Sequence, residues 1–266
     1  MKKSERACII TQVLTENPNK DYSLGYFAEM FGCAKSSISE DIKIVREAMD
    51  ASGYGYVETT SGAKGGVRFV PYIEDKKALN DLERIKTLLE EPDRVVGGGF
   101  VYTADIMFNP EMMRIAGHMF ARHFAATDAD VVVTVEARGI AVALETAELL
   151  NLPLVVIRRE SSISDGSTVS INYFSGSTDS IQKMSLSKRA LKPGSKAIII
   201  DDFMRGGGSI KGVEDMLSEF DCSAVGRGVV IASGKEGFEP NESCYALFLM
   251  EYCGNGLHKV KVNPKL

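Results

Sequence analysis

One stretch constrains this 266-residue chain more than any other: Ala-Ile-Ile-Ile-Asp-Asp-Phe-Met-Arg-Gly-Gly-Gly-Ser-Ile, residues 197–210. Four apolar residues bounded by turn signals read as a core strand of an α/β sheet. Asp201 and Asp202 close that strand, Phe203 and Met204 follow, and Gly206, Gly207 and Gly208 make a turn into a helix. Ligands of open α/β sheets bind beyond the carboxyl ends of the strands. Glycines let backbone N–H groups come close to an anion, and a helix N-terminus adds partial positive charge. Ser209 can donate or cap there, and Arg205 adds a cation suited to phosphate. The pattern predicts a phosphate site at residues 205–209, with the two acids facing ribose hydroxyls or a magnesium ion.

This order of strand, acid pair and turn resembles the ribose-phosphate signature of type I phosphoribosyltransferases. The resemblance implies that the turn holds the 5-phosphate of phosphoribosyl pyrophosphate (PRPP) and the acids hold its ribose. The family usually carries Thr-Thr-Gly-Gly-Thr, where this chain has Arg205-Gly206-Gly207-Gly208-Ser209, so a hydroxyl is lost and a cation gained. A second strand, Val131–Val135, feeds Glu136-Ala137-Arg138-Gly139. That tetrapeptide is similar to the Glu-Ser-Arg-Gly loop of purine-type members, which grips the pyrophosphate through backbone N–H groups. Arg138 suits a phosphate, and Gly139 permits unusual backbone geometry. A long insertion between residues 157 and 192 begins Arg158-Arg159-Glu160 and holds two alternating stretches around residue 176. It reads as a mobile β-hairpin hood, with Arg158 contributing charge; a plain surface hairpin is the alternative. Phe100, Tyr102 and Phe203 offer rings on which a base can stack.

Composition sets the outer limits. An apolar content of 44% in a chain of this length supports one large or two modest domains without staples. A formal charge of -5 argues against a polybasic nucleic-acid binder taken as a whole. The cysteines, at 8, 33, 222, 244 and 253, show neither a C-x-x-C pair nor metal spacing, and the three histidines add none. Reduced thiols, a cytoplasmic location and no protein-fixed metal are therefore expected. No apolar run reaches membrane-spanning length, so no membrane partner is expected.

The first 72 residues follow a different pattern. Apolar residues at 7, 9, 10, 13 and 14 mark a helix. Ser23 caps a short second helix that ends at Gly32, and a third starts near Ala34 with Ile38, Ile42, Ile44, Val45 and Met49 as its buried stripe. Two alternating runs, 55–60 and 66–70, flank the flexible tip Ser61-Gly62-Ala63-Lys64-Gly65. Three helices and a β-hairpin make a winged helix-turn-helix, whose third helix enters the major groove N-terminus first. Lys35, Ser36, Ser37 and Ser39 lead that helix, and Lys64 and Arg68 sit on the wing. Residues 1–72 hold nine Lys/Arg and nine Asp/Glu, so Glu40 and Asp41 must lie away from DNA. Residues 73–266 form the second domain, opened by a helical connector, 73–96, with Leu79, Leu82, Ile85, Leu88 and Leu89 as its stripe. Strands alternating with helices predict a central parallel sheet there.

Together the parts resemble the purine operon repressors of low-GC Gram-positive bacteria. The resemblance rests on Lys35-Ser-Ser-Ile-Ser-Glu-Asp41, Gly166-Ser-Thr-Val-Ser-Ile-Asn-Tyr173 and Ile199-Ile-Asp-Asp-Phe-Met204. It implies a homodimeric DNA-binding repressor with a non-catalytic transferase-like domain, released from operator DNA when PRPP binds, with magnesium carried by the ligand against Asp201 and Asp202. It also implies that the same pocket accepts ppGpp. This chain departs from many relatives at Gly206, where they have Ala or Thr, and at Ser209, where they have Thr. The competing reading is an active purine phosphoribosyltransferase with an accessory DNA-binding domain; RNA binding by the transferase-like domain is a weaker third. A transferase needs a nucleobase site, and residues 233–266 show no legible base-binding hood.

Overall fold

The computed structural model describes residues 1–60, 66–96, 100–175, 180–235, 243–254 and 257–263. The chain divides into two units, Met1–Lys77 with Glu148–Asn151, and the remainder.

The first unit opens with α1 (Lys3–Thr15), α2 (Leu24–Phe31) and α3 (Lys35–Ser52), followed by the antiparallel hairpin β1 (Gly55–Thr59) and β2 (Val67–Pro71). It is a winged helix. Ser23 caps α2 by accepting the Tyr26 N–H at 3.1 Å, and Gly32 and Gly53 end α2 and α3 in the left-handed conformation. Ile10, Leu14, Phe27, Ile38, Ile42, Val45, Val57, Val67 and Phe69 form the core. Ile44, expected in the buried stripe, is 42% exposed. Two residues beyond Ile42 lies on the opposite side of a helix of period 3.6, so the stripe runs 38, 42, 45, 49. Asp41 takes a fully buried place instead, and Arg6 of α1 answers it through Nε at 2.6 Å and Nη2 at 3.2 Å. That bidentate pair compensates a buried charge and ties α1 to α3.

α4 (Asp75–Leu89) leads into the second unit. Its buried ridge is Ala78, Leu82, Ile85 and Leu89; Leu79, expected on that ridge, is exposed. After the short strands β3 (Val95–Val96) and β4 (Phe100–Val101) come α5 (Ala104–Met107), α6 (Pro110–Phe124), β5 (Val131–Val135), α7 (Gly139–Leu150) and β6 (Leu154–Ile157). The hairpin β7 (Thr168–Ser175) and β8 (Ser180–Ser187) precedes β9 (Lys196–Arg205), α8 (Gly208–Ser218), β10 (Ser223–Lys235), β11 (Tyr245–Gly254) and β12 (Leu257–Val262). Six strands form one sheet in the order β12-β11-β10-β9-β5-β6, parallel except that β12 runs against β11. β5 and β9 are parallel neighbours inside it, so their carboxyl ends lie side by side. The strands β11 and β12 were not expected beyond residue 232, although Ala246, Leu247, Phe248 and Met250 are buried core.

The β7–β8 hairpin departs from the expected mobile hood. Tyr173, Met184 and Leu186 pack into the same core as Ile210, Val213 and Met216 of α8. Gly212 makes the seat: a Cβ there would lie 2.9 Å from the Tyr173 Cβ. The hairpin's body is docked by burial. The tip, 176–179, lies outside the described residues. Among the described residues no helix is long and apolar enough to cross a membrane.

Candidate functional site

A cavity of about 610 Å³ opens beyond the carboxyl ends of β5 and β9. β9 brings Asp201, Asp202, Phe203 and Arg205 to it, and Ser209 adds the first turn of α8. Gly206 and Gly207, at φ +73° and +74°, make the turn between them, a conformation that favours glycine. The β5–α7 turn supplies Glu136, Ala137 and Arg138, and the Glu136–Ala137 peptide bond is cis. Beneath lies Gly139, packed so closely that a Cβ would fall 2.5 Å from Thr134 Oγ1 and 2.6 Å from Asp201 Oδ1. The structure thus brings the acid pair, the glycine turn and the second loop to one place.

Phe100 and Val101 of β4 and the buried Thr103 close another side. Their loop is braced by Arg94, which is 7% exposed and reaches Asp105 through two hydrogen bonds of 2.8 and 2.9 Å. Arg94 also donates to the Tyr102 carbonyl at 3.3 Å, and its own carbonyl accepts the Tyr102 N–H at 2.8 Å. The guanidinium's hydrogen bonds hold the Asp105 carboxyl below the usual carboxylate range. Tyr102 itself is half exposed and, with the buried Met204, is absent from the cavity wall.

Of the arginine pair after β6, Arg159 lines the cavity and Arg158 does not. Successive side chains on an extended segment point to opposite sides. Arg158 pairs with Ser185 of β8 through backbone bonds of 3.0 and 2.7 Å, and its guanidinium rests on Glu136 at 3.5 Å and Asp165 at 3.4 Å. Glu136 is held in turn by the Arg159 N–H, 2.6 Å from Oε1. Tyr173 and Tyr252 also line the cavity, and the sequence marks neither as a site residue. The alternation of 158 and 159 was a usable signal; the placement of Tyr252 required β11.

Burial, then the neighbouring Asp202 carboxylate, pushes Asp201 well above the usual carboxylate range, with the charge of Arg159 acting the other way. Asp201 Oδ1 accepts the Asp202 N–H at 2.9 Å. Among the described residues no group of three or more Asp, Glu, His or Cys side chains could hold a metal. The chemistry of two adjacent carboxylates fits a magnesium ion only if a ligand brings further oxygens, because magnesium favours few protein oxygens plus phosphates.

In the winged helix, Lys35, Ser36 and Ser39 are exposed on the first turn of α3 and Ser37 is half-buried. Glu40 pairs with Lys3 at 3.2 Å, and Asp41 is turned inward. Arg68 is engaged on the wing: Nε and Nη2 both donate to Glu58, directly across the strand pair, at 2.9 and 2.7 Å. Lys64 lies outside the described residues. Lys35→Ala is expected to weaken binding to a duplex operator by about 1–3 kcal/mol. Arg68→Ala should cost less, because Glu58 already answers that charge. Fluorescence anisotropy over a salt series checks the pair; equal losses, or none for Lys35, would contradict the placement.

Comparison with known proteins covers both units. Residues 2–71 match the family model described as the N-terminal region of the bacterial purine repressor. Residues 103–261 match the phosphoribosyl transferase domain. A purine biosynthesis transcriptional repressor of Bacillus subtilis is 40% identical over 86% of this chain and 81% of its own length. A purine biosynthesis transcriptional activator of Lactococcus lactis is 38% identical over 89% of this chain and 88% of its own. Among solved structures, an adenine phosphoribosyltransferase of Rhodothermus marinus superposes with a TM-score of 0.53 at 20% identity, covering 65% of this chain and 99% of that one. That likeness shows the fold of the second unit, a type I phosphoribosyltransferase sheet.

Proposed function

Because this chain belongs to the bacterial purine repressor family, we propose that it is a DNA-binding transcriptional repressor of purine biosynthesis genes, released from its operator by PRPP. The convergence of Asp201–Asp202, the Gly206–Ser209 turn and the Glu136–Gly139 loop on one cavity carries the effector part of the reading. Backbone N–H groups at the start of α8 suit a 5-phosphate, and the β5–α7 turn suits a pyrophosphate. Arg138, Arg159 and Arg205 supply cations, and the acid pair takes ribose hydroxyls. A magnesium ion, when bound, would screen those acids from the ligand's phosphates. The nucleotide ppGpp also carries phosphates at two positions of a ribose, and a planar base besides, so it competes for the cavity in this reading.

One winged helix reads few base pairs, so the working species is a homodimer on a two-fold operator in the cytoplasm. Light scattering of the DNA-bound form checks that. PRPP and DNA oppose each other with a coupling of about 1–3 kcal/mol, equivalent to about 5–150-fold in affinity, and DNA weakens PRPP by the same factor. Anisotropy of labelled operator with and without PRPP and magnesium tests this; unchanged affinity would remove the proposal. The similarity to both a repressor and an activator makes the sign of regulation a separate measurement, reporter expression after deletion of the gene.

The protein is read as non-catalytic. One observation favours the alternative of an active transferase: Phe100, Phe203 and Tyr252 give the cavity aromatic walls fit for a purine. Mixing the protein with PRPP and each purine base, and following pyrophosphate, separates the two. Turnover of about 1–1,000 per second would establish the enzyme.

A further inference from the structure

Arg205 sits at the end of β9, one residue before the glycine turn, yet its guanidinium lies over two rings. Its Cζ is 6.0 Å from the centre of Phe100 and 5.5 Å from that of Tyr252. All three side chains line the cavity. Among the described residues no carboxylate pairs with Arg205, unlike Arg94 and Arg158. A flat cation that no carboxylate among the described residues answers lies over two aromatic faces, the surfaces a planar base would use.

We propose that Arg205 is a built-in placeholder of this aromatic slot: a phosphate bound in the Gly206–Ser209 turn draws its guanidinium off Phe100 and Tyr252 and opens the slot to a purine ring. The inference rests on the reading of the cavity as a site for phosphorylated ribose. The direction follows from relative strengths, since a charge-assisted bond from arginine to phosphate outweighs a part-exposed cation–π contact. Because Arg205 adjoins the turn, its side chain reaches either partner from one fixed backbone position. Burial raises the titration of Tyr252 above its ordinary value, and the positive charge of Arg205 acts against that rise. The consequence is selectivity: a free base meets an occupied slot, and a ligand or ligand pair bearing a 5-phosphate meets an open one.

Calorimetry on the full chain tests it with ribose 5-phosphate and hypoxanthine as probes, magnesium present throughout. Ribose 5-phosphate alone should bind the wild type. Hypoxanthine should bind about 2- to 30-fold more tightly when ribose 5-phosphate is saturating, the range spanned by cation–π strengths. Arg205→Gln should take hypoxanthine at the tighter affinity with no phosphate present, while binding ribose 5-phosphate less well. These opposite changes would not come from a general loss of structure. A second readout uses the wild type alone: phosphate binding should raise the ionisation midpoint of Tyr252, followed by ultraviolet absorbance as the difference from Tyr252→Phe. If ribose 5-phosphate binds but leaves both hypoxanthine affinity and Tyr252 unmoved, the placeholder is wrong and the phosphate site stands. If ribose 5-phosphate does not bind, both readings fall.

Discussion

Asp201→Asn is expected to keep operator binding, lose its response to PRPP, and melt at a higher temperature than the wild type without ligand. The acid is buried beneath the cavity and beside Asp202, and both features disfavour its charge. A folded-state carboxyl titrating above its unfolded value binds more protons folded than unfolded. Its favourable contribution is therefore complete below the unfolded value, about 3.9, and is lost as pH rises through the raised folded value. Above the unfolded value the ligand-free protein carries a cost that grows with pH until the folded value is passed. Asparagine removes it and keeps an oxygen to accept the Asp202 N–H. The melting point should rise by about 2–4 °C for each kcal/mol relieved, and the difference should shrink as the pH is lowered toward 4. The same substitution removes the anionic oxygen that would meet ribose or magnesium, so the variant behaves as a repressor deaf to its effector. Thermal melts across pH, with operator titrations with and without PRPP, check both halves. A variant that is less stable at neutral pH, or released as readily as wild type, contradicts the account.

Local chemistry made much of this legible. The Ala197–Ile210 run specified a strand, an acid pair and a glycine turn, because each residue type there has a short list of uses. The three helices and hairpin of the first unit followed from periodicity and two glycine caps. Ile44 and Leu79 were misplaced by the same method, since an apolar residue beside a stripe cannot be told from one within it without the helix phase. From the sequence, Arg68 is placed on the wing with no partner in view. Its partner Glu58 is ten residues away in sequence, and only the hairpin register makes them face each other.

Long-range placement was what the sequence hid. Tyr252 joins the cavity only because β11 lies two strands from β9, and no spacing in the chain expresses that order. Residues 158–192 looked like a free hood because alternation marks a hairpin and says nothing of what it packs on. Gly212 was the available clue, a glycine inside a helix, and it marks the seat of Tyr173. Arg94 and Asp105 brace the β4 loop through a pair in which the arginine is buried, although the sequence presents them as two unrelated surface charges.

Gly139→Ala is expected to cost both stability and effector binding, through different neighbours. The new Cβ would lie 2.5 Å from Thr134 Oγ1 and 2.6 Å from Asp201 Oδ1, distances that real contacts do not hold. Thr134 lies on β5 and Asp201 on β9, neighbouring strands each paired on both sides, so neither backbone yields easily. Overpacking of this kind typically costs about 1–3 kcal/mol. The Asp201 carboxyl is the more mobile obstacle, and turning it away forfeits a charged contact to the ligand, about 1.5–3 kcal/mol or about 10–150-fold in affinity. Thr134 Oγ1 has no hydrogen-bond partner among the described residues, so truncating it removes a clash without breaking a bond. The double variant Gly139→Ala with Thr134→Ala should therefore recover part of the lost melting temperature while PRPP affinity stays low. Recovery of PRPP binding in the double variant would place the damage on Thr134 and remove Asp201 from the explanation. A single variant that binds PRPP as the wild type does would mean that Gly139 is not the floor on which the acid pair is positioned.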